Sequence, residues 1–231
     1  MVFNLLRKKV SMKQLTIAGK PLNYFHICAF FNSKDEEYDV LCPFYKEGLE
    51  QGEKNMHIVN PAFSQEHRDR LGCGGIDVHE CESSGQLNVL NWQQGYFNEA
   101  GEFDKDAMLA TLDHLTGIGL DADYSGVRIM GNMDWALADH PGSATLLEYE
   151  VGVNEVLSRK RQPAVCVYDI SKLTGSMMMD LLRTHPLTLI GGVVQENPFY
   201  TDPAEMLEEL RSRAPLRAAA AQELMGLPQA L

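Results

Sequence analysis

The sequence lacks the features that mark secreted, membrane-spanning or nucleic-acid-binding proteins. Its five cysteines are an odd number without a C-x-x-C pair, so they predict neither disulfides nor a zinc knuckle but reduced thiols in a cytoplasmic protein. No run of about 18 apolar residues occurs, so no membrane span is expected. Lysine and arginine number 20 against 32 acidic residues, and the net charge of −12 argues against nucleic acid as a partner.

A glycine-rich phosphate loop is missing as well. The first strand of the predicted core is followed by residues 31–37, which contain no glycine and no Gly-Lys-Ser/Thr sequence. Asp35, Glu36 and Glu37 place three carboxylates at the start of the next helix, where a phosphate would have to bind. We therefore expect no tight nucleotide binding and no nucleotide hydrolysis.

Apolar runs and helical patterns alternate along most of the chain. The runs predict strands over residues 25–31, 56–59, 87–90, 126–130, 164–168 and 187–194. The patterns between them predict helices over residues 33–52, 64–71, 104–120, 143–158 and 171–183. Strands separated by helices imply crossover connections, so the expected fold is a three-layer α/β sandwich with a mostly parallel central sheet. Because the run at 25–31 is apolar on both faces, it should lie inside that sheet.

One core domain is expected, because no linker rich in Pro, Gly or Ser divides the chain. Residues 1–24 form an N-terminal extension with at most a short strand at 14–17. Residues 25–205 form the core, and residues 206–231, with an alanine run at 218–221, form a C-terminal helix. Packing of that helix on the sheet and docking of a partner by it are both open at this point.

Several short motifs in a fixed order resemble the MEDS family, the methanogen/methylotroph DcmR-type sensory domain. The motifs span about residues 24–205 and comprise residues 26–31, Pro43-Phe44, residues 47–49, Gly52-Glu53, residues 128–137, Tyr149-Glu150 with Asn154, residues 165–169, His185-Pro186 and residues 197–200. The resemblance implies a fold related to RecA/KaiC-type ATPase domains with a degenerate phosphate loop. It also implies a prokaryotic sensor of small hydrocarbon derivatives. Because the sequence lacks the kinase, anti-sigma or DNA-binding module to which such domains are often attached, we expect that output needs a separate signalling protein as partner or that the domain acts alone.

Six residues are predicted to bind the ligand, because open parallel sheets bind ligands at the carboxyl ends of their strands. They follow from the motifs on strands one, four and five, and they are His26, Phe30, Asn132, Trp135, Glu150 and Tyr168. Asn132 departs from the family pattern, in which a glutamate is expected. No catalytic residue, metal ligand or cofactor is predicted, and we expect that the protein is not an enzyme.

Most of these residues also have a purely structural interpretation. His26 shares a strand face with Cys28, which is compatible with a metal site or with a packed core histidine. Trp135 could form the wall of a pocket or pack against a helix. Glu150 and Asn154 share one helix face, which could point into a pocket or into solvent. Asp169, next to Tyr168, is expected to cap the following helix, and Met177–Met179 are expected to fill core space.

Three functions are compatible with the sequence. The favoured one is a non-catalytic sensor in prokaryotic signal transduction that binds a small organic ligand. The alternatives are a RecA-like relic or enzyme that still binds a nucleotide, and a scaffold that acts through its C-terminal helix.

Overall fold

A computed structural model describes residues 16–17, 20–21, 24–121, 124–137 and 145–213. Seven strands form one sheet in the spatial order β5-β4-β6-β7-β3-β8-β9, and every neighbouring pair except β8 and β9 is parallel. The strands are β3 (His26–Phe31), β4 (Lys54–Val59), β5 (Leu87–Asn91), β6 (Val127–Asn132), β7 (Ala164–Asp169), β8 (Leu187–Ile190) and β9 (Val193–Glu196). The predicted mostly parallel sheet is confirmed.

Helices cover both faces of this sheet. They are α1 (Lys34–Glu50), α2 (Ser64–Cys73), α3 (Val78–Ser83), α4 (Trp92–Gly95), α5 (Lys105–Asp121), α6 (Leu146–Lys160), α7 (Gly175–Thr184) and a helix over residues 203–213 (α8). One core cluster packs α1, α2 and α3 against the sheet, and the other packs α5, α6, α7 and α8 against its opposite face. The three-layer sandwich is therefore confirmed. No helix in the described ranges is long and apolar enough to cross a bilayer.

Strand β3 lies inside the sheet, as its apolar run predicted. It pairs with β7 on one side and β8 on the other, and all six of its residues are buried. Alternate side chains enter the two cores: Cys28 and Phe30 face α6, whereas Ile27 and Ala29 face α1. The strand therefore places His26 on the α6 face as well, since it shares the parity of Cys28.

The last predicted strand is wrong in one respect. Residues 187–194 form an antiparallel hairpin instead of one strand, because Gly191 and Gly192 both adopt positive φ and turn the chain between β8 and β9. The N-terminal ends of two helices are also later than expected, with α6 beginning at Leu146 and α7 at Gly175. Asp169 caps the short 3₁₀ turn at Ile170–Lys172 by accepting from the Ser171 amide, whereas α7, the helix that it is expected to cap, is capped by Thr174.

The proposed segment boundaries lie partly outside the described residues. Of residues 1–24, Thr16–Ile17 (β1) and Lys20–Pro21 (β2) pair as a short antiparallel ribbon. Helix α8 starts before the expected position 206 and packs Met206 and Leu210 into the α6-side core. The alanine run at 218–221 and the rest of the predicted C-terminal helix lie beyond the described part of the chain.

Candidate functional site

The α6 face of the sheet contains a buried polar cluster that we call the Glu150 cluster. It consists of His26, Glu150, Cys166 and His185, supported by Asn154 and Tyr168. Strand β3 supplies His26, β7 supplies Cys166 and Tyr168, α6 supplies Glu150 and Asn154, and His185 lies just before β8. Their side chains are buried, and those of Glu150 and His185 have no exposed surface. A charged group in such a place is costly unless it is paired.

Glu150 is the centre of these contacts. Its Oε2 lies 3.2 Å from His26 Nε2 and 3.4 Å from His185 Nε2. Its Oε1 accepts a 2.7 Å hydrogen bond from the Tyr168 hydroxyl. The Cys166 thiol lies 3.6 Å from Glu150 Oε2 and 3.3 Å from His26 Nε2. Both histidines and the thiol therefore meet at one carboxylate oxygen.

The outer nitrogen of each imidazole has its own acceptor. His26 Nδ1 lies 3.1 Å from Asn154 Oδ1, while Asn154 donates to the Thr184 carbonyl at 2.8 Å. His185 Nδ1 lies 2.8 Å from the carbonyl of Leu181. The two rings stack with centroids 4.1 Å apart. These contacts fix the orientation of both Nε2 atoms toward Glu150.

The cluster shifts the ionisation of its members in different directions. Burial, together with the charge of His185, lowers the pKa of His26 to about 4. Burial alone would disfavour the Glu150 carboxylate, but His185 and His26 hold its pKa far below the usual range. Burial and the Glu150 charge raise the pKa of Cys166 to about 12, so its thiol is not an activated nucleophile by itself.

A cleft at the carboxyl ends of β3, β6 and β7 is the second candidate site. Two adjoining depressions of about 300 and 260 Å³ share Lys34, Glu37 and Asn132 in their walls. The Asn132 Oδ1 is buried and has no hydrogen-bond partner in the described ranges, whereas Lys34 Nζ and Glu37 Oε2 form a 2.7 Å ion pair. The cleft therefore contains a hydrogen-bond acceptor without a partner in the described ranges, Asn132 Oδ1, beside the ion pair of Lys34 and Glu37.

The turn that enters α1 uses its own side chains to satisfy the helix terminus. The Ser33 Oγ accepts from the Glu36 amide at 3.2 Å, and Glu36 Oε2 accepts from the Asn32 amide at 2.9 Å. This arrangement is a capping box in a shifted form, because Glu36 binds the amide of Asn32 instead of that of Ser33. Amides that would otherwise attract an anion are occupied by the protein itself.

Two histidines line and support the α1 side of this cleft. The Tyr38 hydroxyl lies 2.7 Å from His67 Nδ1, and His67 Nε2 lies 2.9 Å from His57 Nδ1. Tyr38 and His67 line the cleft wall, whereas His57 is buried behind them against Tyr45. Burial, with the nearby charges of Lys34 and Arg68, lowers the pKa of His67 to about 3.

The six residues predicted to bind ligand do not surround one space. His26, Glu150 and Tyr168 meet in the Glu150 cluster, and the Phe30 ring lies 6.0 Å from that of Tyr168. Asn132 lies on the opposite face of the sheet and lines the cleft, and Tyr168, which lies on the α6 face, also lines one of its two depressions.

Trp135 lies apart from both the Glu150 cluster and the cleft. Its side chain has no exposed surface and packs against the rings of Tyr96, Phe97 and Phe103. This surrounding is that of a core residue.

Cys166 and His185 are the cluster residues that sequence reasoning did not select. Both stand in the ordered motifs, at residues 165–169 and at His185-Pro186, but spacing alone did not connect them to His26. The i, i+4 relation of Glu150 and Asn154 was the usable signal, and the structure shows both side chains pointing inward.

Comparison with known proteins identifies relatives of this chain. The family model MEDS, described as MEthanogen/methylotroph, DcmR Sensory domain, matches residues 25–186. The transcriptional repressor DcmR of Methylorubrum extorquens (strain DSM 6343 / CIP 106787 / DM4) is 28% identical over 175 residues. The match covers 73% of this chain and 61% of that protein, so the chain spans less than two thirds of the relative's length.

Two solved structures share the fold at low sequence identity. The KaiC-like protein PH0186 from Pyrococcus horikoshii OT3 superposes with a TM-score of 0.52 at 14% identity, over 74% of this chain and 73% of that one. The flagellar accessory protein FlaH from Methanocaldococcus jannaschii has a TM-score of 0.50 at 11% identity, over 80% and 84% of the chains. The predicted RecA/KaiC-like fold is therefore confirmed, and with a family model that matches well over half of its length, the chain belongs to the MEDS family of sensory domains.

Proposed function

We propose that this domain is a non-catalytic sensor that binds a small organic, hydrocarbon-derived molecule in the cleft at the carboxyl edge of the sheet. The observation that carries the proposal is the turn into α1. In it, Glu36 and Ser33 occupy backbone amides at the helix start, and Asp35, Glu36 and Glu37 add negative charge. An anionic nucleotide is disfavoured there by charge and by occupied donors, whereas a neutral molecule is not.

The cleft favours a ligand of limited size that carries a hydrogen-bond donor. The depression of about 300 Å³ includes space that is open to solvent, so its enclosed part admits only a small molecule. The Asn132 Oδ1, which has no partner in the described ranges, would accept a hydrogen bond from a hydroxyl or amine of the ligand. Molecules without such a donor would leave this buried oxygen unpaired and would therefore bind more weakly. Tyr168 contributes to the cleft wall and also binds Glu150, so it links the cleft to the Glu150 cluster.

The output is proposed to pass through a separate signalling protein. The relative named a transcriptional repressor supports a role in gene regulation, but a net charge of −12 disfavours direct contact of this domain with DNA. The absence of catalysis is supported by the raised pKa of Cys166, which keeps that thiol protonated.

A binding screen on the full chain tests this proposal. Short alcohols, amines and halogenated or methylated C1 to C4 compounds are titrated while the thermal midpoint and binding heat are recorded, and native mass spectrometry identifies any molecule that copurifies. We expect one compound class to bind saturably and Asn132→Leu to weaken it at least about tenfold, the effect of one lost hydrogen bond of about 1.4 kcal/mol.

Asn88→Leu on the edge strand β5 is the matched control and should leave the affinity unchanged. Equal affinities of the wild type and Asn132→Leu for the compound would show that it does not bind in the cleft. Failure of every compound to bind at millimolar concentration, with no copurifying molecule, would overturn the proposal.

A further inference from the structure

We propose that the Glu150 cluster is a binding site for one divalent transition-metal ion of the zinc type, with His26, Glu150, Cys166 and His185 as the four ligands. The four donor atoms lie within 4.8 Å of one another, and all four residues are buried. Two imidazoles, a thiolate and a carboxylate form a ligand set that suits Zn²⁺. This inference is independent of the ligand proposed for the cleft.

Four of the six distances between the donors are close to the edges of a tetrahedron around zinc, and all six are within 4.8 Å. With zinc bonds of about 2.0 Å to nitrogen or oxygen and about 2.3 Å to sulfur, these edges measure roughly 3.3 to 3.8 Å. Glu150 Oε2 lies 3.2, 3.4 and 3.6 Å from His26 Nε2, His185 Nε2 and Cys166 Sγ. The separation of His26 Nε2 from Cys166 Sγ is 3.3 Å. Small adjustments of side chains would complete the geometry.

The outer contacts of the histidines prepare them as ligands. Metal-binding histidines usually donate the proton of the other ring nitrogen to a carbonyl or carboxylate, which fixes the tautomer. Here Asn154 Oδ1 and the Leu181 carbonyl accept from the two Nδ1 atoms, so both imidazoles direct Nε2 to the centre, His26 with a lone pair and His185 with a proton that a metal would replace. Without a metal, the His185 Nε2 proton faces Glu150 Oε2, and a cation bound here would take the place of that proton between the two imidazoles and the carboxylate.

The carboxylate is arranged to bind through one oxygen. The Tyr168 hydroxyl donates to Glu150 Oε1 at 2.7 Å, which leaves Oε2 toward the histidines and the thiol. Such hydrogen bonds to a ligating carboxylate typically strengthen metal binding, and their removal costs about 10–100-fold in affinity. Tyr168 is thus a positioning residue for the site.

Charge balance also favours a divalent ion. Binding forms bonds from Cys166 Sγ and His185 Nε2 to the metal and releases the thiol proton and the His185 Nε2 proton to solvent, so the site then contains one thiolate, one carboxylate, two neutral imidazoles and a dication. These charges sum to zero, which suits a place without solvent. Four protein ligands leave no open position, so the ion would be structural and would tie β3, β7, α6 and the segment before β8 together.

Metal analysis of the full chain tests the site. The protein is produced without a metal-affinity tag in medium supplemented with Zn²⁺ or, separately, Co²⁺, and bound metal is measured by inductively coupled plasma mass spectrometry. We expect about one ion per chain and, for cobalt, a thiolate charge-transfer band with strong tetrahedral d–d bands. Cys166→Ser should abolish the charge-transfer band, and Tyr168→Phe should lower the affinity about 10–100-fold.

Cys42→Ser and His67→Gln are matched controls, since both residues are buried on the opposite face of the sheet. They should retain the metal and the spectrum. Less than a tenth of an ion per wild-type chain, or unchanged binding by folded Cys166→Ser, would overturn the proposal. Should Cys166→Ser not fold, X-ray absorption of the wild-type zinc protein decides: one sulfur with three nitrogen or oxygen ligands supports the site, and any other sulfur count contradicts it.

Discussion

A carboxylate without access to solvent needs partners, and Glu150 has them from three other segments of the chain: β3, β7 and the segment before β8. Its oxygens contact His26, Tyr168 and His185. Of these partners, His26 and His185 are 159 residues apart in the sequence. Sequence reasoning identified three of these four residues as site candidates from the motif order. It could not join His185 to them, because the contact depends on how β8 aligns with β3 in the sheet.

Trp135 provides a test at the level of one side chain. Because its ring is fully buried among three aromatic rings, Trp135→Ala should lower the free energy of unfolding by about 3–5 kcal/mol, measured by urea denaturation. Phe63→Ala is the control; its ring is 44% exposed, and the expected change is within about 0.5 kcal/mol. A stable Trp135→Ala domain that loses ligand binding would instead make Trp135 a pocket residue, as the sequence analysis predicted.

The buried His67 predicts a pH dependence of stability. Its pKa is about 3 in the folded state against 6.5 for the ordinary side chain, so the unfolded chain binds more protons between these values. The stabilisation is therefore complete above pH 6.5 and is lost as the pH falls toward 3. Going from pH 7 to pH 5 should cost about 2 kcal/mol through this residue.

Chemical denaturation of wild type and His67→Gln over this pH range measures the effect. The free energy of unfolding of the variant should decline less steeply below pH 6.5, since glutamine does not titrate. Parallel pH curves for the two proteins would show that His67 does not carry this dependence.

Among the elements, the β8–β9 hairpin shows a signal that the sequence analysis did not use. An apolar run interrupted by Gly-Gly indicates a tight hairpin turn, yet residues 187–194 were predicted as one strand. The other strands were predicted well, because each is a short apolar run bounded by helices, which is information local to the sequence. The face on which a strand residue lies is not local, and this is why Asn132 was grouped with Glu150 although the sheet separates them.

The hairpin turn can be tested by a pair of glycine substitutions. Gly191 has φ of +56° and no atom within 4 Å of an added Cβ, so Gly191→Ala should cost about 1–2 kcal/mol through backbone strain alone. Gly175 also has free space but begins α7 with no positive φ, so Gly175→Ala should be neutral or slightly stabilising. Equal effects of both substitutions on the thermal midpoint would contradict the turn geometry.

In the whole molecule, the fold and the chemistry of the side chains are separate matters. The fold superposes on KaiC-like and FlaH structures with TM-scores of 0.52 and 0.50 at 14% and 11% identity, so the fold is shared while few residues are. Two groups of polar residues are candidate sites in the described part of the chain, the cleft at the carboxyl edge and the Glu150 cluster beneath α6. The proposed sensor function assigns the ligand to the first, and the second is proposed to hold a metal ion.

Calorimetric titration of the full chain with magnesium ATP tests the account most directly, because the proposed sensor does not bind nucleotides, whereas an ATPase relic would still bind them. The occupied amides and the acidic residues at the start of α1 predict no saturable heat up to millimolar ATP and no phosphate release above background. A dissociation constant near a micromolar, or magnesium-dependent turnover, would contradict the account.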